Sequence, residues 1–395
     1  MLNSKSIGLG AAAILAALSG MTGPVLAQET IKLGLSIPLS GSGAIWGKGS
    51  EFMCKRASRE IAESGGVKVG DVTYNFECVG YDNKYNAAEG TRVAQTLLNR
   101  EGVKFIGGSL GTAPVQALQS MTERQGVLLF TTAWGSSIKG PKFPLTFTQM
   151  NTPFEMLPQL IGYVHKAHPE VKTMTLLNPN DASGQETEAV ARGLWKETGV
   201  EMLSSDFYER GTTEFQPIAA RIASLKPDLV DLGGLPPADA GAVFKELNAL
   251  GWKGVKVVEV GTGADAMKAT GGDSVEGVYM GAGVSFEGSD VTDHQREVNE
   301  EARGVLGESL NTIQIGFYDS VYALKAGIEK AQSIDPLEVA KVLPDTQFRT
   351  FYGGETGFYG QKSYGSRQQM RLPVTITQVR DGKLVQVTRM VPDGD

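Results

Sequence analysis

The chain has 395 residues, with 37 basic and 44 acidic side chains, a formal net charge of −7 and two cysteines. That length is more than one hydrophobic core usually serves, so two lobes are expected, and a mildly acidic chain without a basic stripe excludes nucleic acid as a natural partner. No apolar run beyond the first 27 residues is long enough to span a bilayer, which argues against direct membrane insertion.

Residues 1–27 carry Lys5, a small-apolar run from Ile7 to Leu18, and Val25-Leu26-Ala27 ahead of Gln28. A basic start, a short apolar centre and small residues at the end describe a secretory signal peptide cut after Ala27. With no cysteine near that cut, no lipid anchor is expected, and the mature chain is read as a soluble protein exported to an oxidising space. Export permits a disulfide between Cys54 and Cys78, and two free buried thiols fit the spacing equally well.

From Thr30 strands and helices alternate. Ile31 to Ile37 reads as a strand, followed by the loop Pro38 to Gly43, Trp46 and a helix from about Ser50 to Glu63. Ser64-Gly65-Gly66 stops that helix, Val72 to Val79 alternates as a second strand, and Asn86 to Asn99 reads as a helix. Val103 to Ile106 is a short buried strand, Gly107-Gly108-Ser109-Leu110-Gly111 a turn, and Thr112 the cap of a helix with Pro114 in its first turn. Unpaired amides at such a helix start form a hook for a carboxylate, and the plain alternative is a strand-to-helix turn with nothing bound. The strand Val127 to Thr131 closes this half.

Three prolines between Pro141 and Pro153 break the rhythm around the extended run Thr146 to Met150, after which the alternation starts afresh. It runs through helix Phe154 to Ala167, strand Thr173 to Asn178, the loop Pro179 to Gly184, a helix to Thr198 and strand Glu201 to Phe207. A helical face at Phe215, Ile218, Ile222 and Leu225, strand Asp228 to Gly233, helix Ala238 to Leu250 and strand Val255 to Val260 complete it. Gly277 to Phe286 is extended, helices follow at Asp293 to Val305 and Ile313 to Gln332, and Asp381-Gly382 marks a hairpin between Val374 to Val379 and Leu384 to Thr388. The pattern writes an α/β doubly wound lobe twice, with a ligand cleft expected between the two.

Catalytic constellations are missing from this pattern. The histidines, His165, His168 and His294, lack metal-ligand spacing, and neither a G-x-S-x-G elbow nor a P-loop occurs. Gly261 to Ala266 matches the G-x-G-x-x-A form, which alone does not carry a dinucleotide reading in an exported chain. No enzyme activity, cofactor or metal is expected.

Ile31-Lys32-Leu33-Gly34-Leu35-Ser36-Ile37-Pro38-Leu39-Ser40-Gly41, Gly43-x-x-Trp46-Gly47, Phe105-Ile106-Gly107-Gly108 and the tail from Gly357-Phe358 to Gly382-Lys383 resemble the periplasmic leucine/isoleucine/valine-binding proteins, type I solute-binding receptors of ABC importers. The resemblance covers essentially all of the mature chain. It implies two Rossmann-like lobes joined by three crossover strands, here near Thr146 to Met150, Gly277 to Ala282 and Phe351 to Phe358, closing on a small molecule and docking to membrane permease subunits. Residues 28–148 and 284–350 would form the N-terminal lobe, and 149–283 and 351–395 the C-terminal lobe. By the same resemblance Thr112 with Ala113 would hold a ligand carboxylate, beside Leu110 and Gly111, and the backbone at Ala133, Trp134 and Gly135 would face an ammonium group. Trp46 is implied as a stacking ring or a loop anchor, and Ser183, Leu235 and Thr262 as the second lobe's wall. The family's second-lobe tyrosines and ammonium-binding glutamate are absent here, with Glu259 and Asp265 out of phase. That loss opens the ligand class to an aliphatic amino acid, an aromatic acid or another non-amino carboxylate. The rival functions are a ligand sensor of the same fold and an exported hydrolase.

Overall fold

In the first strand, Gln28–Ile37, the odd positions Ile31, Leu33, Leu35 and Ile37 are buried in one core, while Gly34 between them faces Ile106, Leu97 and Val103 of another. A strand apolar on both sides must lie inside a sheet covered on both faces, and parallel pairing with crossover helices is the usual way to supply the cover. The computed structural model describes residues 28–260 and 264–393. The signal peptide expected at 1–27 and the wall residue Thr262 lie outside the described residues.

One eight-stranded sheet orders Phe358–Tyr359, Gln369–Met370, Thr146–Thr148, Leu128–Thr131, Phe105–Ser109, Gln28–Ile37, Val72–Asp82 and Val67–Val69. Its central pairs are parallel, and its two ends are antiparallel. Helices Ala44–Glu63 and Thr312–Ala331 pack together over one face, and Ala87–Gln95 and Thr112–Gln125 over the other. A second, seven-stranded sheet orders Lys383–Met390, Val374–Arg380, Tyr279–Met280, Val255–Val258, Leu229–Asp231, Thr173–Pro179 and Glu201–Tyr208. The last two strands in the chain form the hairpin, with Asp381 and Gly382 both at positive φ, as a tight primed turn requires. This hairpin caps an otherwise parallel edge.

The chain crosses between sheets three times. Thr146–Thr148 at the first sheet runs into helix Pro153–Ala167 of the second lobe, and Tyr279–Met280 of the second sheet leads back to helices Asp293–Leu306 and Thr312–Ala331. The third crossing corrects the expected Phe351 to Phe358. Phe358–Tyr359 and Gln369–Met370 extend the first sheet, so the chain passes over only between Met370 and Val374. The aromatic stack of Phe358 on Phe147, Phe130 and Phe348 holds that segment to the first lobe, so 351–370 does not belong with the second.

Cys54 and Cys78 form a disulfide that ties helix Ala44–Glu63 to strand Val72–Asp82 within the first lobe. The glycine-rich turn is also corrected. Gly107 and Gly108 continue the strand to Ser109, because Phe317 of the helix above lies where a Cβ on Gly108 would stand, 2.2 Å from it. The turn itself is Leu110-Gly111, with Gly111 at φ 93° in the capping position, so Thr112 is the first helical residue and does not serve as the cap.

Candidate functional site

The carboxyl ends of both sheets face each other, and a cavity lies between them. It is lined from the first lobe by Trp46, Tyr85, Leu110, Thr132, Ala133 and Trp134, and from the second by Ser183, Gly184, Thr187, Arg210, Gly234 and Val260. Ile313, at the start of helix Thr312–Ala331, adds an apolar floor. The cavity measures about 20 Å³, room for a single water molecule, so a larger solute enters by parting the lobes.

The expected anion hook faces this cleft. Thr112 is fully buried, and its N–H donates to Ser183 Oγ across the cleft at 3.2 Å, while that hydroxyl donates to Thr112 Oγ1 at 2.9 Å. Ser183 opens the helix Ala182–Thr198, whose cap is Asp181, accepting from the Gly184 N–H at 2.9 Å. Three residues on, Glu186 reaches the first lobe, accepting from the Ser136 N–H at 2.6 Å and the Ser137 hydroxyl at 3.0 Å. Gly135 allows that approach, since a Cβ there would stand 2.6 Å from Glu186 Oε1.

Of the residues expected from the sequence, Trp46, Leu110, Ala133, Trp134 and Ser183 line the cavity, and Thr112 meets it through Ser183. Gly111, Ala113 and Gly135 flank it without lining it. The Ala133 N–H is taken by Thr131 Oγ1 at 2.9 Å. Leu235 is corrected: it is fully buried in the second lobe's own core with Phe244 and Val258, and Gly234 stands at the wall in its place. The turn Gly233-Gly234, bonded to Asp231 and Asn178, directs the leucine inward.

Two important residues were missed. Tyr85 follows a strand end where Lys84 and Tyr85 both take left-handed φ values of 46° and 58°, unusual for side chains of their size. Fully buried Asn83 imposes this turn, donating to the carbonyls of Ser36 and Leu110 and accepting from the Tyr85 N–H at 2.9 Å. The turn sets the Tyr85 ring 6.1 Å from that of Trp46. Arg210, in the loop after strand Glu201–Tyr208, pairs through Nε with Asp181 and lays its guanidinium 4.2 Å from the centre of the Tyr85 ring. Burial opposes the Arg210 charge, yet Tyr85 and Asp181 beside it outweigh that cost and its pKa stands above the usual range; burial likewise pushes the Tyr85 hydroxyl up. Both residues stand at carboxyl ends of strands, and that position was the available signal.

Behind the second lobe's wall lie two further carboxyls, Asp231 and Glu259, each fully buried. Asp231 accepts from Trp195 Nε1 and from the Gly233 N–H, both at 2.9 Å. Burial raises both pKa values, and for Glu259 the Asp231 charge adds to the rise. Among the described residues no cluster of acids, histidines or cysteines suits a metal ion, and no helix is long and apolar enough to cross a membrane.

A comparison with known proteins places this architecture. A family model described as "Periplasmic binding protein" matches residues 30–383. The chain is 23% identical over 339 residues to the leucine-, isoleucine-, valine-, threonine- and alanine-binding protein of Pseudomonas aeruginosa, covering 85% of this chain and 87% of that one. A leucine binding protein from Thermotoga maritima superposes with a TM-score of 0.77 at 17% identity, over 92% of this chain and 99% of that one. An ABC-transporter solute binding protein from R. palustris, solved with benzoate, gives a TM-score of 0.77 at 18% identity over 93% and 98%. Matched from its first strand into its last hairpin, the chain belongs to the periplasmic binding protein family.

Proposed function

We propose that this protein is the extracytoplasmic solute-binding receptor of an ABC importer, closing its two lobes over a small carboxylate-bearing solute and presenting the closed shape to membrane permease subunits. The carrying observation is the cavity lined from both lobes, with the amide hook at Thr112 already bridged to Ser183 of the opposite lobe. A solute that contacts both walls stabilises the closed form over the open one by its difference in affinity, which is the signal a transporter can read. Relatives named for aliphatic amino acids and a neighbour solved with benzoate support a small acid as the ligand class.

The test is a thermal-shift screen of aliphatic amino acids against aromatic acids, followed by small-angle scattering with any solute that raises the melting temperature. A bound solute is expected to raise that temperature and reduce the radius of gyration, and Thr112→Asp to abolish both by opposing the ligand's charge. Binding without compaction, or unchanged affinity in Thr112→Asp, refutes the reading.

A further inference from the structure

Among the described residues that line the cavity, Arg210 is the one charged side chain. We propose that Arg210 anchors the ligand's carboxylate from the second lobe and thereby selects a small monoacid with an apolar body and no ammonium group; this deepens the receptor reading above and rests on it.

The geometry of the guanidinium carries the proposal. Asp181 takes Nε and is the only hydrogen-bond acceptor Arg210 has among the described residues, so the edge formed by its two terminal nitrogens is left for a planar, two-oxygen partner. Asp181 is itself fixed at the helix cap and orients the guanidinium from within the second lobe, and the Tyr85 ring of the first lobe meets the guanidinium face when the lobes close. A second donor belongs to the opposite wall: Trp46 is 2% exposed and its indole N–H is buried with no hydrogen-bond partner. Tyr85 connects the two, packing against Trp46 on one side and Arg210 on the other. A carboxylate between them would draw on donors of both lobes at once.

The same residues disfavour an ammonium group. Among the described residues no aspartate or glutamate lines the cavity: Asp181 is paired with Arg210, and Asp239 accepts the Tyr208 hydroxyl at 2.7 Å. The ring face of Tyr85 that would attract a cation is already occupied by Arg210. The rest of the lining comprises Leu110, Ile313, Val260 and Trp134 together with small and hydroxyl side chains, which suits an aromatic or aliphatic body.

Isothermal titration of the full-length mature protein with benzoate, its neutral isostere benzamide and leucine tests this. Benzoate is expected to bind and the other two to bind at least about tenfold more weakly, the discrimination a charge-assisted hydrogen bond supplies. Arg210→Gln is expected to weaken benzoate about ten- to a hundredfold and to erase its advantage over benzamide, whereas Arg210→Lys retains part of it. Circular dichroism and the melting temperature establish that each variant is folded. Leucine binding tighter than benzoate, or a benzoate preference that survives Arg210→Gln, overturns the proposal and leaves the receptor reading intact. If no probe binds, mass spectrometry of the solute that co-purifies decides: an acid without an amine supports the proposal, and an amine or a solute without a carboxylate overturns it. A protein that takes up neither probe nor co-purified solute overturns the receptor reading itself.

Discussion

Replacing Glu186 with alanine removes a second contact that spans the cleft, beside the hook. Its carboxylate accepts from the Ser136 N–H at 2.6 Å and the Ser137 hydroxyl at 3.0 Å, with the Ser136 hydroxyl at 3.4 Å. Hydrogen bonds to a charged acceptor contribute about 1.5–3 kcal/mol each when shielded, but this group is in contact with solvent, so the latch as a whole is expected to contribute about 1 kcal/mol. That corresponds to roughly a fivefold shift of the closed-to-open ratio, and solute affinity falls by up to the same factor if the ligand selects the closed form. Gly135→Ala acts on the same contact from the other side, placing a methyl group 2.6 Å from Glu186 Oε1 and 2.7 Å from Thr112 Cγ2. Overpacking of this kind costs about 1–3 kcal/mol, here paid by the closed state alone. Removing Glu186 relieves part of that clash, so the double variant is expected to bind better than the sum of the two losses predicts. Small-angle scattering without solute and calorimetry with it measure both effects. Unchanged scattering and affinity in Glu186→Ala, or strict additivity in the double variant, refutes the latch.

The buried carboxyls set a pH dependence. Burial first and Asp231 second raise the pKa of Glu259, so its contribution to stability is greatest below the unfolded-state value and is lost as pH climbs toward the raised folded value. Denaturant midpoints of the wild type are expected to fall as pH rises from the unfolded carboxyl value toward the raised folded one, and Glu259→Gln to gain about 1–3 kcal/mol at the upper end while flattening that slope. Cys54→Ser opens a loop of sequence separation 24 and should cost about 3 kcal/mol in chemical denaturation, with solute affinity preserved because the disulfide lies within the first lobe. Asn83→Ala releases the left-handed turn that presents Tyr85, and calorimetry is expected to show weaker solute binding even where circular dichroism reports an intact fold.

How far the sequence could be read depended on the range over which its signals act. Alternation along Ile31 to Ile37 and the Asp381-Gly382 turn are local, and both led to the observed strand and hairpin. Gly107-Gly108 misled because a glycine pair reads equally as a turn or as room for a neighbour, and the neighbour, Phe317, stands some two hundred residues away. The third crossing was misplaced for a related reason: the short strands Phe358–Tyr359 and Gln369–Met370 owe their position to packing on Phe130 and Phe147, which no window of the sequence contains.

The site divides along the same line. Trp46, Leu110 and Trp134, which line the cavity, and Thr112, which meets it through Ser183, follow strand ends of the first lobe and were expected from that position together with a family resemblance. The second lobe's wall was not, because there the resemblance pointed to tyrosines and a glutamate that this chain lacks. Arg210 becomes part of a site only when Asp181 orients it and closure brings Tyr85 against it, two contacts that join residues 29 and 125 positions apart in the chain. A receptor must change its ligand without changing its hinge, and the arrangement shows where such freedom lies. The hook at Thr112 is set by backbone geometry that the fold requires, whereas Arg210 sits on a loop that can change its side chain at little cost to either core. Charge selection in this chain is therefore concentrated where substitution is cheapest for the fold, and least visible to any reading that begins from the family's pattern.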